Sequence, residues 1–396
     1  SGKRKRRMRE GAEQVVITSL QSPRIWKPRF PFRFSNPMHP ELTAMRLRER
    51  LDEVVGPQMS DWETVARLAC WVNRRIPMDR REGPILSPEQ GRSGPTLLQA
   101  VDQGYRGFAC GAFSRLFVDA LASFGILSRC MGVTATGIRL AESVGGVWNH
   151  AMAEVWLDSL GQWVLVDPEL LIFYEHDGRR LSALELHQAL LNGIRPKRHH
   201  FDDTQIEAWL AVTGLSLWRD DHAEQFQMLG YDLDNDHCRV DFQDNAVRDG
   251  EEIGTTQLVY WPDHAPWKPH FYPHLHYVVT NDPLDTSFPM NLVEIRLPLI
   301  EERFVALSAG ESGKEVELIT YAPWFSSFLV RYESGGRVTD WQRLAGVGHH
   351  DGLWTASLFW PLHAGVNRLE ARVAGTFDRL GPTARVTVER RRKVRR

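Results

Sequence analysis

The sequence predicts an α+β chain in which a mixed block of helices and strands precedes an all-β region. Three observations carry that prediction. Apolar residues recur at helical spacing in several stretches of the first half. Helix-like and strand-like runs then mix between Thr96 and Asp177. After about residue 250 the texture changes to short alternating runs, most of them separated by Gly, Pro or Asp turn signals. At 396 residues the chain has room for two or three domains. The pattern divides it into an N-terminal basic tail and arm over 1–57, a mixed domain over 58–245, β-sandwich modules over 246–389 and a basic tail over 390–396.

Taken in order, residues 21–40 carry five prolines with Trp26, Phe30, Phe32 and Phe34 between them. Each proline ring fixes φ and removes a donor, so this is an extended arm rather than a helix. Residues 41–55 read as a helix through Leu42, Met45, Leu51 and Val54. Ser60 and Glu63 form a capping-box pattern ahead of Val65, Leu68, Ala69 and Val72, so a second helix starts there. The stretch 77–95 is a Pro/Gly-rich loop, and 181–192 and 203–217 read as helical. Strand runs follow at 257–261, 276–280, 292–297, 328–332, 353–359, 368–373 and 384–388. The last two, GVNRLEARVAGTF and GPTARVTV, resemble the closing hairpin of an immunoglobulin-like or fibronectin-like sandwich.

Composition excludes several classes. Hydrophobic residues at 42% and charged residues at 25% are globular values, not those of a disordered chain or a fibre. No apolar run is long enough for a transmembrane helix, and the charged N-terminus lacks the apolar stretch of a signal peptide. Four cysteines (Cys70, Cys110, Cys130, Cys238) are too few for a disulfide framework and point to a reducing, cytoplasmic setting or a catalytic thiol. The net charge of −2 hides two basic ends, residues 1–9 and 389–396, around a body with 36 basic and 49 acidic side chains. Such an acidic body does not read as a nucleic-acid-binding domain, and the ends read as solvated tails.

The chemistry concentrates in two segments. In 104–133, a glycine-containing turn precedes Cys110, and Phe113, Leu116, Phe117, Ala120, Leu121 and Phe124 then mark the buried face of a helix that ends at Gly125. Cys110 therefore sits at a helix start, where the positive end of the dipole favours thiolate and backbone N–H groups can bind an oxyanion. In 147–169, two β runs flank a turn with Asp158 and Gly161. If Leu157 pairs with Gln162, Asp167 falls opposite Met152 and diagonal to His150, on the same face. A carboxylate there would orient the imidazole and leave its other nitrogen for a thiol. Each residue alone also fits a bland reading: a small buried cysteine, a hydrogen-bonded core histidine, an Asp-Pro turn.

Together these segments resemble the transglutaminase-like superfamily, whose bacterial members carry a Gly-x-Cys helix start, an "HAW-E-V" strand and a "W-x-x-VDP" strand. The corresponding segments are GFACG, NHAMAEVW and QWVLVDPE, with FGILSRCMGV similar to the family's "GI-x-AR" strand entry. Met152 stands where the family often has tryptophan. The resemblance spans roughly residues 60–175 and implies a papain-like core with Cys110 as nucleophile, His150 as base and Asp167 as its orienting partner. Gln99, Gln103 and Asn149 are candidate oxyanion contacts.

The expected function is cysteine-dependent acyl transfer on a peptide, protein or other amide substrate through a thioester, with hydrolysis favoured over transfer to an amine. The alternative is a non-catalytic binding or scaffold protein with the same core. No cofactor is expected. His264, His270, His274 and His276 match no metal-ligand spacing. His349-His350 reads as a turn, and DLDNDHCRVDF lacks the glycine and glutamate of a calcium loop. Cys70 and Cys130 read as core residues.

Overall fold

Ser60 starts the helix Asp61–Arg75 with both halves of its capping box formed: the hydroxyl accepts from Glu63 N, and the Glu63 carboxylate accepts from Ser60 N at 2.8 Å. The computed structural model describes residues 14–77, 90–105, 108–134, 150–202, 226, 228–239, 246–248, 251–253, 257–260, 277–301, 304–305 and 311–391. The helix expected over 203–217 and the histidines at 264–276 lie outside them. The chain divides into two units, one of Pro28–Leu157 with Gln162–Phe288, the other of Ser1–Lys27, Asp158–Gly161 and Pro289–Arg396.

The larger unit is built on a six-stranded sheet. Its strands run in the order Tyr277–Thr280, Gln257–Tyr260, Met228–Asp232, Ser128–Thr134, His150–Leu157 and Gln162–Val166, all antiparallel except the first pair. The helices Asp61–Arg75 and Cys110–Ala122 pack against the strand His150–Leu157. The helix expected over 41–55 is instead two, Pro40–Arg48 and Leu51–Val54, because Arg50 between them is left-handed at φ 53. Arg46 Nε holds Asp52 across that break at 3.0 Å, and Arg75 Nε on the helix Asp61–Arg75 holds Glu49 just before it at 2.8 Å.

Charge is buried in this unit. Arg129 and Glu154, both 1% exposed, pair at 2.5 Å across neighbouring strands. The guanidinium carbon lies 4.2–4.4 Å from the ring centroids of Trp163, Tyr231 and Phe32, close enough for cation–π attraction. Glu154 also accepts from Ala183 N at 2.7 Å. The acidic DLDNDHC segment is structural in the same way: Asn235 Oδ1 accepts from Cys130 N at 2.7 Å, and its Nδ2 donates to Asp232 O.

The smaller unit holds two antiparallel sheets. One contains Gln14–Gln21 between Phe304–Val305 and Ala384–Arg391, followed by Gly365–Gly375 and Phe325–Ser334. The other orders Glu294–Arg296, Gly313–Thr320, Leu353–Pro361 and Gly348–His350. Val316, Leu318, Leu358 and Trp360 of the second share one hydrophobic cluster with Phe328, Val330, Leu369, Val386 and Val388 of the first.

Four sequence expectations differ from this arrangement. The strand Gln14–Gln21 pairs with Ala384–Arg391, so the N-terminal stretch is shared between units rather than forming one arm to residue 57. The division falls at Phe288/Pro289 rather than near 246, because Gln257–Tyr260 and Tyr277–Thr280 complete the six-stranded sheet. Arg390 and Arg391 end a paired strand instead of starting a solvated tail, with Arg390 donating to Leu362 O and Glu311 O. His349-His350 likewise sits on the short strand Gly348–His350, the turn being formed by Asp351 and Gly352.

Candidate active site

Cys110 is the first residue of the helix Cys110–Ala122, after Ala109 in extended conformation. No side chain caps this end, so its leading N–H groups point out of the helix. The helix is fixed from behind by Asp119, which is fully buried. One Asp119 oxygen accepts from Gly94 N at 2.6 Å and the other meets His237 Nδ1 at 2.8 Å. A Cβ on Gly94 would come within 3.0 Å of Asp119 Cβ and Leu116 Cδ1, so glycine permits this approach of the Gly94–Asp102 helix. At Gly111, by contrast, an added Cβ meets nothing within 4 Å among the described residues.

The hairpin register is Leu157 opposite Gln162 and Ala153 opposite Val166. It carries Asp167 diagonally toward His150, and His150 Nε2 lies 2.5 Å from Asp167 Oδ2. The other Asp167 oxygen accepts from Glu169 N and Leu170 N, both at 2.9 Å. Asn73, from the Asp61–Arg75 helix, donates to Glu169 O at 2.6 Å and so pins the turn. His150 and Asp167 are buried, and Cys110 is partly exposed.

With Nε2 committed to Asp167, Nδ1 is the ring nitrogen left for the thiol. Cys110 is hydrogen-bonded to His150 and to Ala151 N–H. Burial works against the thiolate, but His150 and then Ala151 N–H outweigh it and bring the thiol below its ordinary range. Burial likewise works against a charged His150, yet the Asp167 carboxylate and the thiol raise it to about 10.

A fourth side chain completes the group. Glu169, 2% exposed, places Oε2 at 3.8 Å from His150 Nδ1. One donor atom each from Cys110, His150 and Glu169 lie within 4.8 Å of one another. Sequence reading missed Glu169 and Asn73. The only signal for Glu169 was its place two residues after Asp167 in VDPE, and nothing in the pattern marked Asn73. Gln99 and Gln103 are both exposed on or at the end of the Gly94–Asp102 helix, and Asn149 lies outside the described residues.

A helix-start thiol, a strand histidine and a buried carboxylate define the class: a thiol site on an α+β core. Residues 48–168 match the model of the transglutaminase-like superfamily, the same family that the three motifs resemble. That family suggests cysteine-dependent acyl transfer in general terms. Comparison with curated proteins gives no match. Among solved structures the chain is similar to red sea bream transglutaminase, at 13% identity over 83% of this chain and 68% of that one, with a TM-score of 0.20; so low a score supports no further argument. Among the described residues, no helix is long and apolar enough to cross a membrane.

Proposed function

We propose that this protein is a thiol acyl-transfer enzyme acting on amide bonds, with Cys110 as nucleophile, His150 as general base and acid, and Asp167 as the group that orients His150. The observation that carries this reading is His150 held through Nε2 by Asp167 at 2.5 Å while the same ring is hydrogen-bonded to the Cys110 thiol. In this scheme Nδ1 takes the thiol proton and the thiolate attacks the carbonyl carbon. The oxyanion is held by N–H groups at the helix start. The imidazolium returns its proton to the leaving amine, and a thioester remains. Water, or a second amine, then attacks the thioester, gives its proton to Nδ1 and releases the acyl group. We favour water, which makes the reaction a hydrolysis. We also propose that the two-sheet unit is an immunoglobulin-like module that positions substrate or a partner, an analogy of fold.

The test is to trap the thioester. The full chain, exposed to a small activated acyl ester, is expected to gain one acyl group on the peptide containing Cys110, labile to hydroxylamine. Cys110→Ala is expected to gain none. An adduct that persists in Cys110→Ala, or the absence of any Cys110 adduct in a folded protein, overturns the assignment. Adding a primary amine separates water from amine as the final nucleophile: free acid supports hydrolysis, and amide product overturns it.

A further inference from the structure

We infer that Cys110, His150 and Glu169 form a three-donor site for a zinc-class transition-metal ion, and that the ion occupies the same atoms that acyl transfer needs. The first support is the donor set. One atom from each residue lies within 4.8 Å of the other two, and His150 Nδ1 and Glu169 Oε2 are 3.8 Å apart. Tetrahedral zinc, with bonds of about 2.0–2.3 Å, sets its donors roughly 3.4–3.6 Å apart. The group therefore needs only small side-chain adjustments to close on an ion. Thiolate, imidazole and carboxylate together select zinc-class metals over magnesium or calcium, whose sites are built of oxygen.

The second support is the shell behind the donors. A metal-binding histidine commonly donates its other ring N–H to a carboxylate, which fixes the tautomer and turns the free nitrogen to the ion. His150 has that arrangement, with Nε2 on Asp167 at 2.5 Å and Asp167 itself held by Glu169 N and Leu170 N. The same turn that positions Asp167 thus also fixes the backbone of the third donor, and Asn73 locks it again through Glu169 O.

The third support is charge. During acyl transfer one imidazolium would face the Cys110 thiolate and the buried carboxylates of Asp167 and Glu169. A divalent cation among Cys110, His150 and Glu169 would balance the thiolate and the carboxylate it binds, as in other three-donor zinc sites. Three protein donors also leave one tetrahedral position for water. Because the ion takes Sγ and Nδ1, a metal-loaded chain holds its thiol in reserve. That blocking consequence rests on the acyl-transfer reading; metal binding itself does not.

The experiment uses the full chain with Co²⁺ and then Zn²⁺ alone as probes. Co²⁺ is expected to bind one per chain with a thiolate-to-cobalt charge-transfer band, displaced by Zn²⁺. Zn²⁺ is expected to protect Cys110 from alkylation until a chelator is added. Cys110→Ser is expected to abolish the band, and Glu169→Gln to weaken Zn²⁺ binding at least tenfold while keeping the fold by circular dichroism. The inference is overturned if wild type shows no thiolate band, if Cys110→Ser keeps full binding (metal held elsewhere), or if Glu169→Gln binds as wild type. The wild-type spectrum reads out without any variant. Thioester trapping on the metal-free chain separately tests the enzyme reading, so either can fail alone.

Discussion

The two units keep their buried polar groups in different ways. In the larger unit, both members of the charged pairs are buried: Asp119 with His237, Arg129 with Glu154, His150 with Asp167. In the smaller unit the shared cluster is apolar, and the fully buried Asn367 serves its own turn and the neighbouring strand, accepting from His363 N and Ser334 Oγ and donating to His363 O and Gly365 O. Glu370, on the strand Gly365–Gly375, is held by Arg331 and Arg385 from the two neighbouring strands. The difference teaches where precision is needed. A two-sheet core needs only alternation and volume, whereas the thiol site needs a helix and a hairpin fixed relative to each other. Directional bonds between distant residues supply that constraint.

The sharpest break of this contrast is at the thiol. Cys110→Ala should abolish turnover, a loss of more than about a thousandfold, while costing on the order of 1 kcal/mol or less in stability because the deleted group is small. Cys130→Ala should do the reverse, since Cys130 is a buried strand residue: activity per folded molecule stays, and the melting temperature drops. Turnover on any acyl substrate, beside thermal melts, decides both. Equal effects of the two substitutions would erase the distinction between site and core.

A second comparison grades the pair behind the thiol. His150→Ala removes the proposed base, whereas Asp167→Asn leaves an amide that still meets Nε2 but favours the wrong tautomer. Asp167→Asn should therefore lose less activity than His150→Ala. The opposite order in turnover measurements would assign Asp167 the larger role.

Stability tests the contrast directly. Arg129→Met leaves Glu154 buried without its cation, and a loss of about 3–5 kcal/mol is expected by denaturant unfolding. Asn367→Ala should cost less, about 1–3 kcal/mol, because it strands neutral groups only, the backbone of one turn and the Ser334 hydroxyl. If Asn367→Ala proves the more damaging, the smaller unit depends on directional bonds as much as the larger one does.

The smallest effect is a pH dependence confined to the two-sheet unit. Burial raises Glu370, but its bonds to Arg331 and Arg385 outweigh that and hold the carboxyl below its ordinary range. A depressed folded-state pKa means the stabilisation is present above the unfolded value and is lost as pH falls through the folded one. Glu370→Gln should therefore flatten part of the acid destabilisation seen in melts below about pH 4.5, and leave stability at neutral pH only slightly lower. An unchanged acid limb would remove Glu370 as its source.

The sequence by itself determined the local features. The Ser60–Glu63 cap, the helix starting at Cys110, the Leu157–Gln162 register and the closing hairpin follow from spacing and turn chemistry, which act over a few residues. The register alone was enough to set Asp167 diagonal to His150, since a hairpin with a short turn admits few alternatives. Tertiary structure decided everything that joins distant positions. Gln14–Gln21 finds its partner strand some 370 residues later, and no local pattern encodes that choice. Asn73 and Glu169 meet across nearly 100 positions. Arg50 takes a left-handed conformation against its own propensity, beside the Glu49–Arg75 ion pair that joins two separate helices. Such contacts depend on burial and on which distant surfaces meet, and both exist only once the chain has closed on itself.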